Sequence, residues 1–241
     1  MKKPMTFLLA LGMLISLAAC GGTTSGQGSS TPPADSRTTE AASEGSREQP
    51  QNTDENESNI LIAYFTWADN TVVEDPSSVD VDATTSASVL APGNAAKLAF
   101  WIQQEVGGDL HSIVVEEPYS SDYDECLDCA ADEKAENARP ALASHVDNME
   151  DYDIVFLGFP NWWYTLPMPV LTFVEEYDWS GKTVAPFVTH GTGGLSGTIR
   201  DLTAALPEDV TILDPIGVYR PEVDDSQPAV QAWIAGLDLE V

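Results

Sequence analysis

From residue 59 onward the apolar positions switch between two periodicities. Ile60 to Phe65 is an unbroken apolar run headed by the polar Asn59, the pattern of a strand buried on both faces. Ala95, Leu98, Ala99, Ile102 and Val106 then recur at three- and four-residue spacing and stop at Gly107-Gly108, which predicts a helix with a glycine C-terminal signal. The alternation repeats. Strands are predicted at Leu110 to Val115, Ile154 to Phe159, Thr183 to Thr189 and Val210 to Leu213. Helix patterns cover Pro169 to Tyr177, then Leu195, Ile199, Leu202 and Leu206, and finally Val230, Trp233, Ile234 and Leu237. Strands separated by helices predict an α/β fold, with a parallel sheet covered on both faces and right-handed crossovers.

The first 58 residues follow another pattern. Lys2 and Lys3 precede an apolar run from Phe7 to Leu17 that is too short to span a bilayer comfortably, so residues 1–19 read as an export signal. Leu17-Ala18-Ala19-Cys20 resembles the lipobox of bacterial lipoproteins, which implies cleavage before Cys20 and a lipid on that residue. An ordinary cleaved signal with an unrelated Cys is the alternative. From Gly21 to Ser58 there is no Val, Leu, Ile, Met or aromatic residue, so residues 20–58 are expected to be a disordered tether reaching about 35 Å. The expected domain is then 59–241, outside the cytoplasm and anchored to the bacterial cell membrane through the lipid on Cys20 only.

Charge narrows the function. The 241 residues carry 10 Lys and Arg against 39 Asp and Glu, a formal net charge of −29. Within 59–241 stand 32 acidic and six basic side chains, a balance of −26. That excludes nucleic acid as a partner, because phosphate neutralisation needs a cationic face, and it disfavours anionic lipid surfaces. Three Cys exclude a disulfide framework.

In a doubly wound sheet the ligand sits beyond the carboxyl ends of the strands. Three loops occupy that edge. The first strand is followed by Thr66-Trp67-Ala68-Asp69-Asn70-Thr71, a long insertion, and Pro92-Gly93-Asn94-Ala95 opening a helix. The third is followed by Pro160-Asn161-Trp162-Trp163-Tyr164-Thr165-Leu166-Pro167, and the fourth by His190-Gly191-Thr192-Gly193-Gly194-Leu195-Ser196-Gly197. Hydroxyls and amides at a helix start, stacked aromatics and glycine-freed N–H groups describe a site for a flat, phosphorylated, aromatic ligand. With Lys97 the only base near the first helix start, the phosphate must be held by amides, hydroxyls and a helix dipole. Trp162, Trp163 and Tyr164 cannot all face one core, so at least one ring is expected at the surface; a mere lid over the core is the alternative.

These blocks, Tyr64-Phe65-Thr66-Trp67, Asn70-Thr71, Gly93-Asn94-Ala95, Phe159-Pro160-Asn161-Trp162-Trp163 and Thr189-His190-Gly191-Thr192-Gly193, resemble those of flavodoxin-like proteins in order and content. The resemblance implies a three-layer fold, a five-stranded parallel sheet in the order 2-1-3-4-5 and bound FMN. It implies that Thr66, Trp67, Ala68, Asn94 and Ala95 lie at the phosphate. Pro160, Asn161, Trp162, Trp163, Tyr164 and Thr165, with His190, Gly191, Thr192 and Gly193, would flank the ring system. Two departures stand out. About twenty residues split the phosphate loop, so Asp69-Asn70-Thr71 competes with Gly93-Asn94-Ala95. The second is favoured, because it opens a helix and an anionic Asp69 would repel phosphate. The hydroxyl that family members carry after Gly-Asn is also missing at Ala95, a loss of about 1 kcal/mol unless another donor replaces it.

Other constellations compete with this one. Gly191, Gly193 and Gly197 followed by Asp214 imitate a dinucleotide fingerprint, but in the last βαβ unit and with the aromatic loop unexplained. Ser196 near His190 suggests a hydrolase, yet the run reads GGLSG rather than GxSxG. Cys126-Leu127-Asp128-Cys129 is a CxxC in a predicted helix, either a redox pair for the flavin or an inert one; a second CxxC for zinc is lacking, so no metal site is read. His111 in a strand and His145 on a polar helix read as structural, whereas His190, ending a strand at the glycine turn, is the candidate to bond the flavin or deliver a proton. The expected function is FMN-based electron transfer or flavin-dependent oxidoreduction with a redox partner the sequence leaves unidentified; the alternative is a degenerate fold that binds a ligand or a partner without redox work.

Overall fold

Strand β1 (Ile60–Tyr64) is buried at all five positions, because its side chains meet apolar layers on both faces of the sheet. The computed structural model describes residues 59–86, 88–237 and 239; the expected export signal, Cys20 and the tether lie outside the described residues. Strands β2 (Asp109–Ser112) and β3 (Ile154–Pro160) flank β1, β4 (Thr183–His190) pairs with β3, and β5 (Thr211–Ile212) pairs with the start of β4. The order is β2-β1-β3-β4-β5, all parallel, as the resemblance implied.

The edge differs from expectation in carrying a sixth strand, β6 (Ile216–Tyr219), which pairs with the second half of β4. Proline explains the break. Val184 of β4 accepts from Leu213 N at 2.9 Å, and in a parallel ladder residues two apart face the same neighbour, so Pro186 presents its missing donor to this edge. The ladder lapses there, Pro215 lies in the same gap, and pairing resumes at Phe187 with Ile216.

The helices are α1 (Val81–Ser86), α2 (Asn94–Val106), α3 (Tyr123–Glu136), α4 (Met168–Glu176), α5 (Thr198–Ala205) and α6 (Gln227–Gly236). Alternate residues of β1 and β3 feed two cores. Ile60, Ile62, Ile154 and Phe156 pack under α2 and α6, with Leu98, Ile102 and Val230. Leu61, Ala63, Val155 and Leu157 pack under α4 and α5, with Val170, Phe173 and Leu202, and meet Cys126 of α3. Among the described residues no helix is long and apolar enough to cross a membrane.

Three local expectations are corrected. Leu195 lies in a turn, and α5 starts only at Thr198, because Gly194 and Ser196 adopt positive φ (60° and 47°), outside the helical region. His145 is not helical: beyond Pro140 the chain pairs with 114–116 instead, through Glu116 N to Ala141 O and Ala143 N to Val114 O. The same pairing draws the chain away after Ile113, whose N–H still donates to Tyr64 O, and this leaves β2 shorter than predicted.

Asn70 ties this corner together. Its buried amide donates to Thr66 O (2.8 Å) and Ile113 O (3.0 Å) and accepts from Val115 N (2.8 Å). Replacing Asn70 with Ala strands these backbone groups, so Asn70→Ala is expected to cost on the order of 3 kcal/mol in chemical denaturation.

Candidate functional site

The N-terminus of α2 is brought against the end of β1 by Gly93. A Cβ there would fall 1.8 Å from Thr66 Oγ1, so any larger residue would push the helix off. Thr66 is only 3% exposed, and its hydroxyl makes no hydrogen bond with the described residues. Gly93 supplies no side-chain cap, and α2 has no acid in its first turn. Of the first amides, Asn94 N donates to Ser88 Oγ at 2.8 Å, while those of Ala95 and Ala96 find no acceptor among the described residues. A helix start with open donors and a positive dipole end attracts an anion.

Thr66, Trp67, Ser88, Asn94 and Ala95 line one end of a cleft of about 300 Å³. The competing Asp69-Asn70-Thr71 segment does not line it: Asp69 accepts from Ser112 Oγ (2.7 Å), Asn70 is the hub described above, and Thr71 donates to Tyr119 O (2.8 Å). Ala68 is also outside the lining. Lys97 turns away to Asp224 at 2.6 Å.

The cleft wall beside β3 is an aromatic turn. Trp162 and Thr165 exchange both backbone hydrogen bonds at 3.0 Å, closing a turn whose central residues, Trp163 and Tyr164, have φ of 47° and 67°. Such turns normally use Asn and Gly; two bulky rings there store strain of the kind found at functional sites. Trp162 packs edge-on against Phe65 and Tyr119, whereas Trp163 and Tyr164 are 40% and 66% exposed. One ring thus belongs to the core and two to the mouth. Trp163 Nε1 donates to Leu127 O (3.0 Å), fastening the turn to α3. Thr165 is not in the lining; its hydroxyl donates to Asp201 at 2.6 Å.

The glycine turn after β4 forms the opposite wall, with Thr189 through Gly193 in the lining. Asn161 bridges the two walls by donating to Gly194 O at 2.6 Å, and its Oδ1 is left buried without a partner among the described residues. His190 Nδ1 donates to Gly191 O at 2.7 Å, and its Nε2 lies 3.2 Å from where a Gly217 Cβ would be, so the ring packs on β6. Ser196 Oγ donates to Gly193 O, not to His190, and Asp214 is outside the cleft.

Sequence reading did not identify the lining residues Ser88, Tyr123, Leu127, Ala130 and Arg220. Arg220 had a recoverable signal, since it follows the carboxyl end of β6. Its guanidinium carbon lies 3.3 Å from the position of a Gly191 Cβ, over the glycine turn. On α3, Cys126 lines the cleft while Cys129 is exposed, and both are free thiols. Burial, then Cys129 and Glu133, push the Cys126 thiol up to about 12. Burial and Glu133 raise Cys129 as well, so both are held as thiols rather than thiolates. His111 is packed on Phe173, and burial holds it below the ordinary histidine range. Among the described residues no cluster of His, Cys, Asp and Glu could hold a metal ion.

A parallel sheet in this order, with a cleft of this composition at its carboxyl edge, defines a flavodoxin-type protein. A family model for flavodoxin matches residues 81–231, and the chain belongs to that family. A candidate flavoprotein from Bacteroides eggerthii DSM 20697 is similar at 28% identity, over 75% of this chain and 98% of its own, with a TM-score of 0.56. A second, from Bacteroides uniformis ATCC 8492, is 26% identical over 73% and 97%, also at 0.56. No curated protein matches the chain.

Strain in the aromatic turn carries a measurable consequence. Tyr164→Gly fits the positive φ without cost, so the ligand-free variant is expected to be more stable by about 1 kcal/mol, read as a higher thermal midpoint, while retaining flavin less well.

Proposed function

We propose that the chain binds FMN in this cleft and works as a redox protein held outside the cytoplasm by a lipid on Cys20. One observation carries the cofactor reading: a single cleft joins an open helix N-terminus and the Thr66 hydroxyl, without a partner among the described residues, to an aromatic turn facing a glycine turn. The first end suits a phosphate, which needs donors and a positive dipole end. The second suits a flat ring, held between Trp163 or Tyr164 and the backbone of residues 190–193. Asn161 Oδ1, buried and without a partner among the described residues, is placed to accept from a ligand N–H or hydroxyl between the two.

Bound there, the flavin supplies the capacity to take up and release electrons. The chain's own contribution is binding and electrostatics. Its 32 acidic side chains in 59–241 oppose added negative charge in the cleft, and Arg220 brings a cation to the glycine turn. His190, bonded to its own turn, orients that backbone. The reading of location rests on the sequence: Lys2 and Lys3, the short apolar run and Leu17-Ala18-Ala19-Cys20.

Flavin titration by fluorescence quenching tests the cofactor. FMN is expected to bind at least about tenfold more tightly than riboflavin, and Thr66→Val is expected to weaken FMN by about 10- to 100-fold while leaving riboflavin unchanged, the worth of one charge-assisted hydrogen bond. Equal affinity for the two flavins would place no phosphate at α2. A protein that binds FMN but cannot be reversibly reduced would be a binding module instead.

Cell fractionation tests the anchor. The unaltered chain is expected with membranes, and Cys20→Ser in the soluble fraction or as an unprocessed precursor, with its visible spectrum intact.

A further inference from the structure

We infer that Ser88, contributed by the insertion between β1 and α2, is a phosphate ligand that replaces the hydroxyl lost at Ala95. This rests on the FMN reading above and adds a residue to it that no motif marks. Ala95 is the second residue of α2 and lines the cleft, but it has no polar side chain to offer there. Ser88 lines the same end of the cleft, and its Oγ lies 2.8 Å from Asn94 N, accepting from the first amide of the helix. An oxygen at hydrogen-bond distance from a helix-start amide occupies a position that a ligand oxygen would take.

Two observations make this a built position rather than an accident of a loop. Thr66, a residue only 3% exposed that lines the cleft, lies under Gly93 at the same helix end, and its hydroxyl has no partner among the described residues, so the cradle already holds a donor for a ligand oxygen. Ser88 is also anchored by packing. The next residue, Val89, is 1% exposed, lies in the core with Ala83 of α1, and donates from its N–H to Ala83 O at 3.2 Å. The insertion therefore has its own foothold in the core and presents Ser88 over the α2 terminus. With a phosphate in place, Asn94 N–H turns to a phosphate oxygen and the Ser88 hydroxyl donates its own proton to the same group. The hydroxyl count of the cradle is restored from a different stretch of chain.

The test uses the full chain, titrated with FMN and with riboflavin by fluorescence quenching. Ser88→Ala is expected to weaken FMN by about five- to tenfold and to leave riboflavin unchanged. Ala95→Ser on top of Ser88→Ala, which returns one hydroxyl at the helix start, is expected to recover most of that loss. An unchanged or tighter FMN affinity in Ser88→Ala overturns the inference, leaving Ser88 as a helix cap. Equal weakening of both flavins also overturns it, because Ser88 would then only hold the loop. If the unaltered chain does not distinguish FMN from riboflavin, the phosphate reading itself fails and the inference falls with it, an outcome separable from the other two.

Discussion

The approach of the α2 N-terminus to Thr66 is the contact on which the site depends. Only a residue without Cβ allows it, since a Gly93 Cβ would sit 1.8 Å from Thr66 Oγ1. Because β1 is an interior strand, held between β2 and β3, and α2 packs on it through Leu98, Ala99 and Ile102, the position of this contact is set by the core rather than by the loops. The open amides, the Thr66 hydroxyl and the dipole end thereby converge on one point.

Charge follows from the same scarcity of bases. Several of the six cations in 59–241 are committed to structure: Lys97 pairs with Asp224, Arg139 with Glu175, Arg200 with Asp201, and the buried Lys182 donates to the carbonyls of Met149 and Tyr152. Lys134 donates to Trp163 O and so steadies the aromatic turn. An anion site here is built from neutral donors, which work only where water is excluded and geometry is held. The close packing of Gly93 on the buried Thr66 supplies that exclusion.

Rigidity and strain are divided accordingly. The helix end is held by buried contacts, whereas the opposite wall carries two aromatic residues at positive φ, fastened to α3 by Trp163 Nε1 and Lys134. A strained turn that survives in this way is over-determined by its surroundings, and here those surroundings are the cleft.

Much of this was legible in the sequence by itself. Strands buried on both faces leave continuous apolar runs, so β1, β3 and β4 were readable and with them the three loops at their carboxyl ends. Trp162, Trp163 and Tyr164 in succession required an exposed ring because one core cannot take all three. Of the two plausible phosphate segments the sequence favoured Gly93-Asn94-Ala95, because it opens a helix and lacks an acid; only the tertiary structure shows what occupies the other, where the Asn70 amide is taken up by Thr66, Ile113 and Val115. The tertiary structure also decided that Ser88, Leu127 and Arg220 meet one cleft, because their convergence comes from packing between segments far apart in the chain. The broken edge strand belongs there too: Pro186 interrupts a ladder only on the side its missing N–H faces, and that side is set by pairing. Local pattern records whether a side chain is buried; which residues it is buried with is settled by long-range packing.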